Sequence, residues 1–220
     1  MNLNDARKVM VPPESVQPAN SANAANQSFG STPGQLFART PTLAGSDAAA
    51  KREEIRRYFH ATLDCYEQLF QTLQDDEAYL KKPISLRHPL IFYLGHTSTF
   101  FTNKLVLAGL ITERINPRLE SMFAVGVDEM SWDDLDTTHY DWPSVEEVRA
   151  YRAKVRVIVD TLITDMPLTL PIGWDSPWWT IMMGIEHERI HLETSSVLIR
   201  QHAIEYVRPH PAWEPYKGSG

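Results

Sequence analysis

The stretch GIEHERIHLET, residues 184–194, brings together His187, Glu188, His191 and Glu193. An α-helix turns by about 100° per residue, so two histidines four apart lie about 40° from each other on one face and can share a metal ion. Read as letters, the string is also H-E-x-x-H, in which two zinc-ligating histidines accompany a glutamate base. Three readings are open: a metalloprotease helix, another kind of metal site, or a pair of polar residues on a half-exposed face. Ile181, Met182, Ile185 and Leu192 flank the histidines, and Trp174, Trp178 and Trp179 crowd the start of the segment. Bulky apolar neighbours weigh against the third reading, because imidazoles buried among them without partners cost free energy.

A metal site needs a third ligand. Glu193 would complete H-x-x-x-H-x-E, but two residues past His191 is a rotation of about 200°, which turns its carboxylate away from the imidazole face. Glu193 is better read as a surface or interhelix contact. His96 is the stronger candidate, because it sits in the middle of the most apolar segment of the chain and follows Gly95, which permits close helix approach. The alternative for His96 is a core histidine bonded to a backbone carbonyl or to Thr97 or Thr99. Two histidines from one helix and one from a facing helix form a facial triad with open coordination positions, a recognised arrangement in helical bundles. The protease reading fits less well: Thr194 and Val197 stand where a metzincin has Gly and His, and Glu214, the downstream carboxylate, lies in a Pro-rich tail. His60, His139, His202 and His210 have no partner at metal spacing and read as structural or exposed.

These residues require a scaffold, and the periodicity supplies four helices. Ser46-Asp47 caps a first helix whose apolar positions Ile55, Phe59, Leu63, Tyr66, Phe70 and Leu73 recur at steps of three and four. A second begins at His88-Pro89 and runs through LIFYLGHTSTFFTNKLVLAGL to about Gly109. Ser144-Val145-Glu146-Glu147 is a capping box that opens a third, carrying Val148, Tyr151, Val155, Val159 and Leu162. Ser176-Pro177 opens a fourth, which continues through the histidine motif to about Gln201. The second and third are separated by a long connection with Pro117 and Gly126, and no strand pattern of useful length intervenes. The fold class is therefore all-α, a four-helix bundle with a long crossover connection, spanning residues 46–208. Residues 1–45 are rich in Pro, Ala, Asn, Ser and Gly and read as a disordered leader, while 209–220 reads as a Pro-rich tail or truncated linker.

Composition narrows the partners. The 220 residues are 43% hydrophobic, enough for one good core, and carry a formal charge of −7 with no basic run, which argues against nucleic acid and anionic membranes. There is no secretory leader pattern and no uncharged apolar run of spanning length. The single cysteine, Cys65, excludes an intramolecular disulfide and a Cys-based zinc cluster, and with the absent leader it makes the cytoplasm the expected compartment. Cys65 itself reads as a small packing residue.

The strings RHPLIFYLGHTSTFF, GVDEMSWDDL and GIEHERIHLETSSVLIRQ, in this order and at these separations, resemble the N-terminal domain of 5-histidylcysteine sulfoxide synthases of ovothiol biosynthesis. The likeness runs from about Arg52 to about Trp213. It implies a DinB-like four-helix fold in which His96, His187 and His191 bind a non-haem Fe(II). It also implies an oxidoreductase that couples cysteine to histidine with O2 to form a C–S bond and a sulfoxide. The related ergothioneine sulfoxide synthases tend to carry glutamine before the last ligand, where Ile190 stands here, which places the resemblance nearer the ovothiol branch. Arg87, Tyr93 and the Asp128-Glu129 loop are candidates to line the pocket. The resemblance further implies a formylglycine-generating-enzyme-like domain downstream, supplying a catalytic tyrosine and much of the substrate contact, so the lone chain is expected to bind metal with little complete turnover. Two rivals remain: a stand-alone DinB-like thiol transferase or hydrolase using zinc or nickel at the same histidines, and a non-catalytic bundle stabilised by its metal.

Overall fold

A computed structural model describes residues 39–124 and 140–213. Most of the proposed leader, the GVDEMSWDDL string with Asp128 and Glu129, His139 and residues 214–220 lie outside the described residues. Four long helices form as expected: α1 (Ala48–Phe70), α3 (Leu90–Leu107), α5 (Val145–Asp165) and α6 (Pro177–Arg200). Two short ones were not anticipated, α2 (Asp76–Leu80) and α4 (Pro117–Met122). Among the described residues there is no strand, only isolated bridges pairing Leu73 with Val207 and His210 with Trp213. No helix among them is long and apolar enough to cross a membrane.

The caps read from sequence perform as caps. The Asp47 side chain accepts from the Ala50 amide at 3.0 Å, and Ser144 Oγ accepts from the Glu147 amide at 3.1 Å. Ser176 Oγ accepts from the Trp178 amide at 3.3 Å, with Pro177 in the first turn where its missing N–H costs nothing. At α3 the register differs by one residue, since Pro89 is the cap and Leu90 the first helical residue. Helix α1 ends at Phe70, so Leu73 is not helical, although it is buried where the chain pairs with Val207. Residues 39–45, counted above with the leader, touch the bundle: Thr40 shares a hydrogen bond with Tyr58, and the Leu43 carbonyl accepts from the Ile172 amide.

Each long helix packs on two others, with α3 against α5 and α6, and α1 against α5 and α6. Close approach on the α3–α6 side depends on Gly184. A Cβ built there would lie 2.2 Å from the Phe101 ring, so Phe101 of α3 occupies space that any other residue on α6 would fill. The core of the bundle holds an unusual charge. Arg152 of α5 is buried, and its guanidinium donates to Glu67 of α1 at 2.5 Å, to the Leu94 carbonyl and Thr97 hydroxyl of α3 at 2.9 and 2.8 Å, and to Glu188 of α6 at 2.7 Å. One side chain thus joins all four long helices. Burial alone would discourage its charge, but the carboxylates of Glu188 and Glu67 outweigh that and raise its pKa further, so it stays cationic.

A second polar seam joins α1 to α5 nearer the surface. Asp160 takes a two-point contact from Arg56 at 2.7 and 3.1 Å and a contact with His60 Nε2 at 2.7 Å, while Arg156 donates to His60 Nδ1 and to Asp64. Burial would push the Asp160 carboxyl up, but Arg56 and His60 hold it below the ordinary range. For His60 burial dominates and lowers its pKa, with Asp160 offsetting part of the effect. Because its Nδ1 accepts from Arg156, His60 is a neutral imidazole in this seam.

Two outcomes follow from these contacts. Replacing Arg152 by Met leaves the buried Glu188 carboxylate without its cation and is expected to cost about 3–5 kcal/mol in denaturant unfolding, of which Arg152→Met with Glu188→Leu recovers roughly half or more. The acid dependence is set by groups whose folded pKa is depressed, so the unfolded chain binds more protons as pH falls and stability is lost in that direction. For His60 the loss starts near its unfolded value of about 6.5, and for Asp160 only below about 3.9. Denaturant midpoints at pH 7.5 and 5.5 are expected to differ less for His60→Gln than for the wild-type chain.

Candidate metal centre

Helices α3 and α6 pack face to face, and their contact determines where the three histidines go. His96 projects from α3, and His187 and His191 from one face of α6. The ring centroids are 5.1 Å apart for His96 and His187, 4.7 Å for His96 and His191, and 4.5 Å for His187 and His191. Each ring offers a nitrogen, and these atoms all lie within 4.8 Å of one another. His96 is buried, while His187 and His191 are half-buried. The sequence-predicted trio is therefore brought together, and Glu193 is exposed and outside it.

The reading of His96 as a core histidine bonded to a backbone carbonyl is seen directly, and it is compatible with a ligand role. Its Nδ1 contacts the Phe123 carbonyl at 2.7 Å. A carbonyl only accepts, so Nδ1 carries the proton, which leaves Nε2 as the atom able to ligate, as in a metal-ligating histidine oriented by its other nitrogen. Phe123 reaches this position from the end of α4, and Gly95 makes room for it, because a Cβ at Gly95 would lie 2.3 Å from the Phe123 ring. Gly95 thus admits an aromatic ring and the carbonyl beside it, not a second long helix. The anchor is held in turn by Asn116, which caps α4 by accepting from the Leu119 amide, and by the buried Glu120, which accepts from the Ile115 and Asn116 amides and pairs with Arg114. The Asn116-Pro117 pair signals such a start, but six residues are too few to show a helical period.

The electrostatics favour neutral ligands. Burial, reinforced by the nearby His191, His96 and Lys104, pushes the His187 pKa down to about 2; burial and His96 take His191 down to about 4. Both imidazoles therefore keep a lone pair available at neutral pH without proton competition. The Nδ1 atoms of His187 and His191 are buried without a hydrogen-bond partner. Three converging imidazoles, two of them held uncharged by burial, fit a divalent transition ion, for which imidazole is a suitable ligand.

Glu188 has a different employment from the one its motif suggests. It is buried, and Oε1 accepts from Arg152 at 2.7 Å, so it joins the helix-linking ion pair and is withheld from any general-base role. Of the pocket candidates, Tyr93 is buried with its ring 6.3 Å from His191, Arg87 is exposed, and Asp128-Glu129 lie outside the described residues. Cys65 is fully buried, and burial raises its thiol to about 11, which bears out a packing role. The sequence reading missed Arg152, Phe123 and Phe100, the last stacked on His187. For the trio itself, His96→Ala is expected to abolish stoichiometric metal in protein titrated with Co(II), whereas Glu193→Gln leaves the content unchanged, as read by elemental analysis after desalting.

Comparison with known proteins bears on this centre. Residues 58–195, a span containing all three histidines, match the DinB superfamily. The chain is also 30% identical over 152 residues to Ergothioneine biosynthesis protein 1 of Neurospora crassa. That similarity covers 64% of this chain and 17% of the relative, so the chain spans under a fifth of the relative's length. The family match runs over more than half of the residues and takes in most of the four-helix scaffold together with its histidine cluster: the chain belongs to the DinB superfamily.

Proposed function

We propose that this chain is the Fe(II)-binding domain of a cytoplasmic sulfoxide synthase that couples cysteine to histidine with O2, as in ovothiol biosynthesis. The observation that carries the reading is the convergence of His96, His187 and His191 within 4.8 Å, in a chain similar to a protein named for ergothioneine biosynthesis. Ile190, at the position where ergothioneine enzymes tend to have glutamine, supports the ovothiol branch. It is 60% exposed, so its side chain is available to whatever approaches the two α6 ligands.

The reaction balances without an external reductant. The thiol loses S–H and the imidazole loses C–H, a C–S bond forms, one oxygen atom stays on sulfur, and the other leaves as water. Bound iron would supply redox chemistry for dioxygen and coordination positions for sulfur and imidazole. The residues of this chain do the holding. Three imidazoles contribute no negative charge, and the Arg152 pair keeps Glu188 from adding one, so the site favours an anionic ligand such as a thiolate. Tyr93 beside His191 would bound the pocket on its α3 side. A formylglycine-generating-enzyme-like domain following this one in the full protein would supply the remaining substrate contacts and the catalytic tyrosine.

The test is metal analysis of protein purified without added metal, followed by anaerobic Fe(II) loading and an oxygen-uptake assay with cysteine and histidine, the product being read by mass spectrometry. The expected result is about one iron per chain and little coupled product from the chain alone. Stoichiometric zinc together with thiol-transfer activity would instead establish a stand-alone DinB-like transferase, the reading favoured if the family match alone guides the assignment.

A further inference from the structure

The three histidines are supported unequally, and the difference points to a residue outside the ligand set. His96 is oriented by the Phe123 carbonyl at 2.7 Å. His187 has no such partner among the described residues: neither of its ring nitrogens is hydrogen-bonded, and Nδ1 is buried. Its ring instead lies flat on Phe100, with centroids 3.7 Å apart and planes 7° from parallel. The other aromatic rings flanking the ligands are looser, with Phe92 at 5.4 Å from His96 and Tyr93 at 6.3 Å from His191, the latter tilted by 36°. Phe100 follows His96 by one turn on α3, and Lys104 follows by another, its Nζ 5.0 Å from the Phe100 ring centroid. The helix that supplies one ligand therefore also carries the surface against which a second ligand rests.

Resting on the metal-site reading above, we propose that Phe100 is the positioning residue for His187, its ring plane replacing the hydrogen bond that ordinarily orients a metal-ligating imidazole. The terminal torsion of histidine is broad, so an imidazole without a hydrogen-bonded second nitrogen rotates unless something flat confines it. Contact at 3.7 Å with nearly parallel planes does this while leaving the edge of the ring, where the nitrogens are, directed along the plane. A ring is required for this role, whereas an aliphatic side chain of similar bulk would fill the space and leave the rotation open. Phe100 is half-buried, unlike its fully buried neighbour Phe101, so its replacement is compatible with the core.

The experiment is titration of the full chain with Co(II), read by its visible absorption, for the wild type, Phe100→Leu and Phe100→Tyr, with the melting temperature of each metal-free protein measured alongside. Phe100→Leu is expected to bind about 10–100-fold more weakly, with an altered absorption band and an unchanged metal-free melting temperature, while Phe100→Tyr stays within about threefold of wild type. Wild-type affinity in Phe100→Leu, equal weakening in both variants, or weakening that tracks a lower metal-free melting temperature would each overturn the proposal. Failure of the wild-type chain itself to bind Co(II) would remove the metal-site reading, a distinct result.

Discussion

A single buried guanidinium sets the terms for the rest of this molecule. Arg152 has carboxylate partners on α1 and α6 and a carbonyl and hydroxyl partner on α3, so each long helix is tied to the same cation. A buried charge is tolerable only when its hydrogen-bonding capacity is met with good geometry, and this requirement is directional where apolar packing is not. Apolar residues such as Ile181 and Ile185 would be satisfied by several rotations of α6 about its axis. Glu188 would not, because its carboxylate must meet Arg152. Turning Glu188 inward fixes the rotation of α6, and with it the face on which His187 and His191 emerge toward His96.

The motif H-E-x-x-H takes its meaning from this arrangement. In a metalloprotease, the glutamate beside the first histidine activates water. Here the same letter anchors a helix, because the adjacent α5 presents an arginine at the matching depth. The glutamate is about 100° around the helix from the preceding histidine, enough for one to face the bundle centre and the other the α3 seam. Identical spacing thus serves two architectures, and what separates them is the partner that the fold places opposite the glutamate.

The histidine centre is prepared in a graded way. His96 is deep and bonded to backbone, His187 is pressed against an aromatic ring, and His191 stands beside Tyr93. Burial keeps the two α6 imidazoles uncharged, so forming the centre needs no proton release from them. The cost is carried by the fold, which holds polar rings among apolar and aromatic neighbours. Such polar burial is sustained by the surrounding contacts of α4, whose short capped turn delivers the Phe123 carbonyl and ring.

The amino-acid sequence by itself determined the features that depend on neighbours along the chain. Asp47, Ser144 and Ser176 mark helix starts because a capping side chain bonds amides two or three residues away, and the 3.6-residue period of apolar positions identifies the buried stripe. The pairing of His187 with His191 is likewise local, following from the pitch of one helix. His96 was legible as a candidate because a histidine in the most apolar helix needs a partner. The tertiary structure alone decided which partner each polar group meets: Arg152 with Glu188 across 36 positions, His96 with the Phe123 carbonyl across 27, and Phe100 with His187. Those contacts depend on how the helices are rotated and on a six-residue turn too short to declare itself by periodicity. Their physical cause is distributed over the whole bundle, which is why no local stretch of sequence contains it.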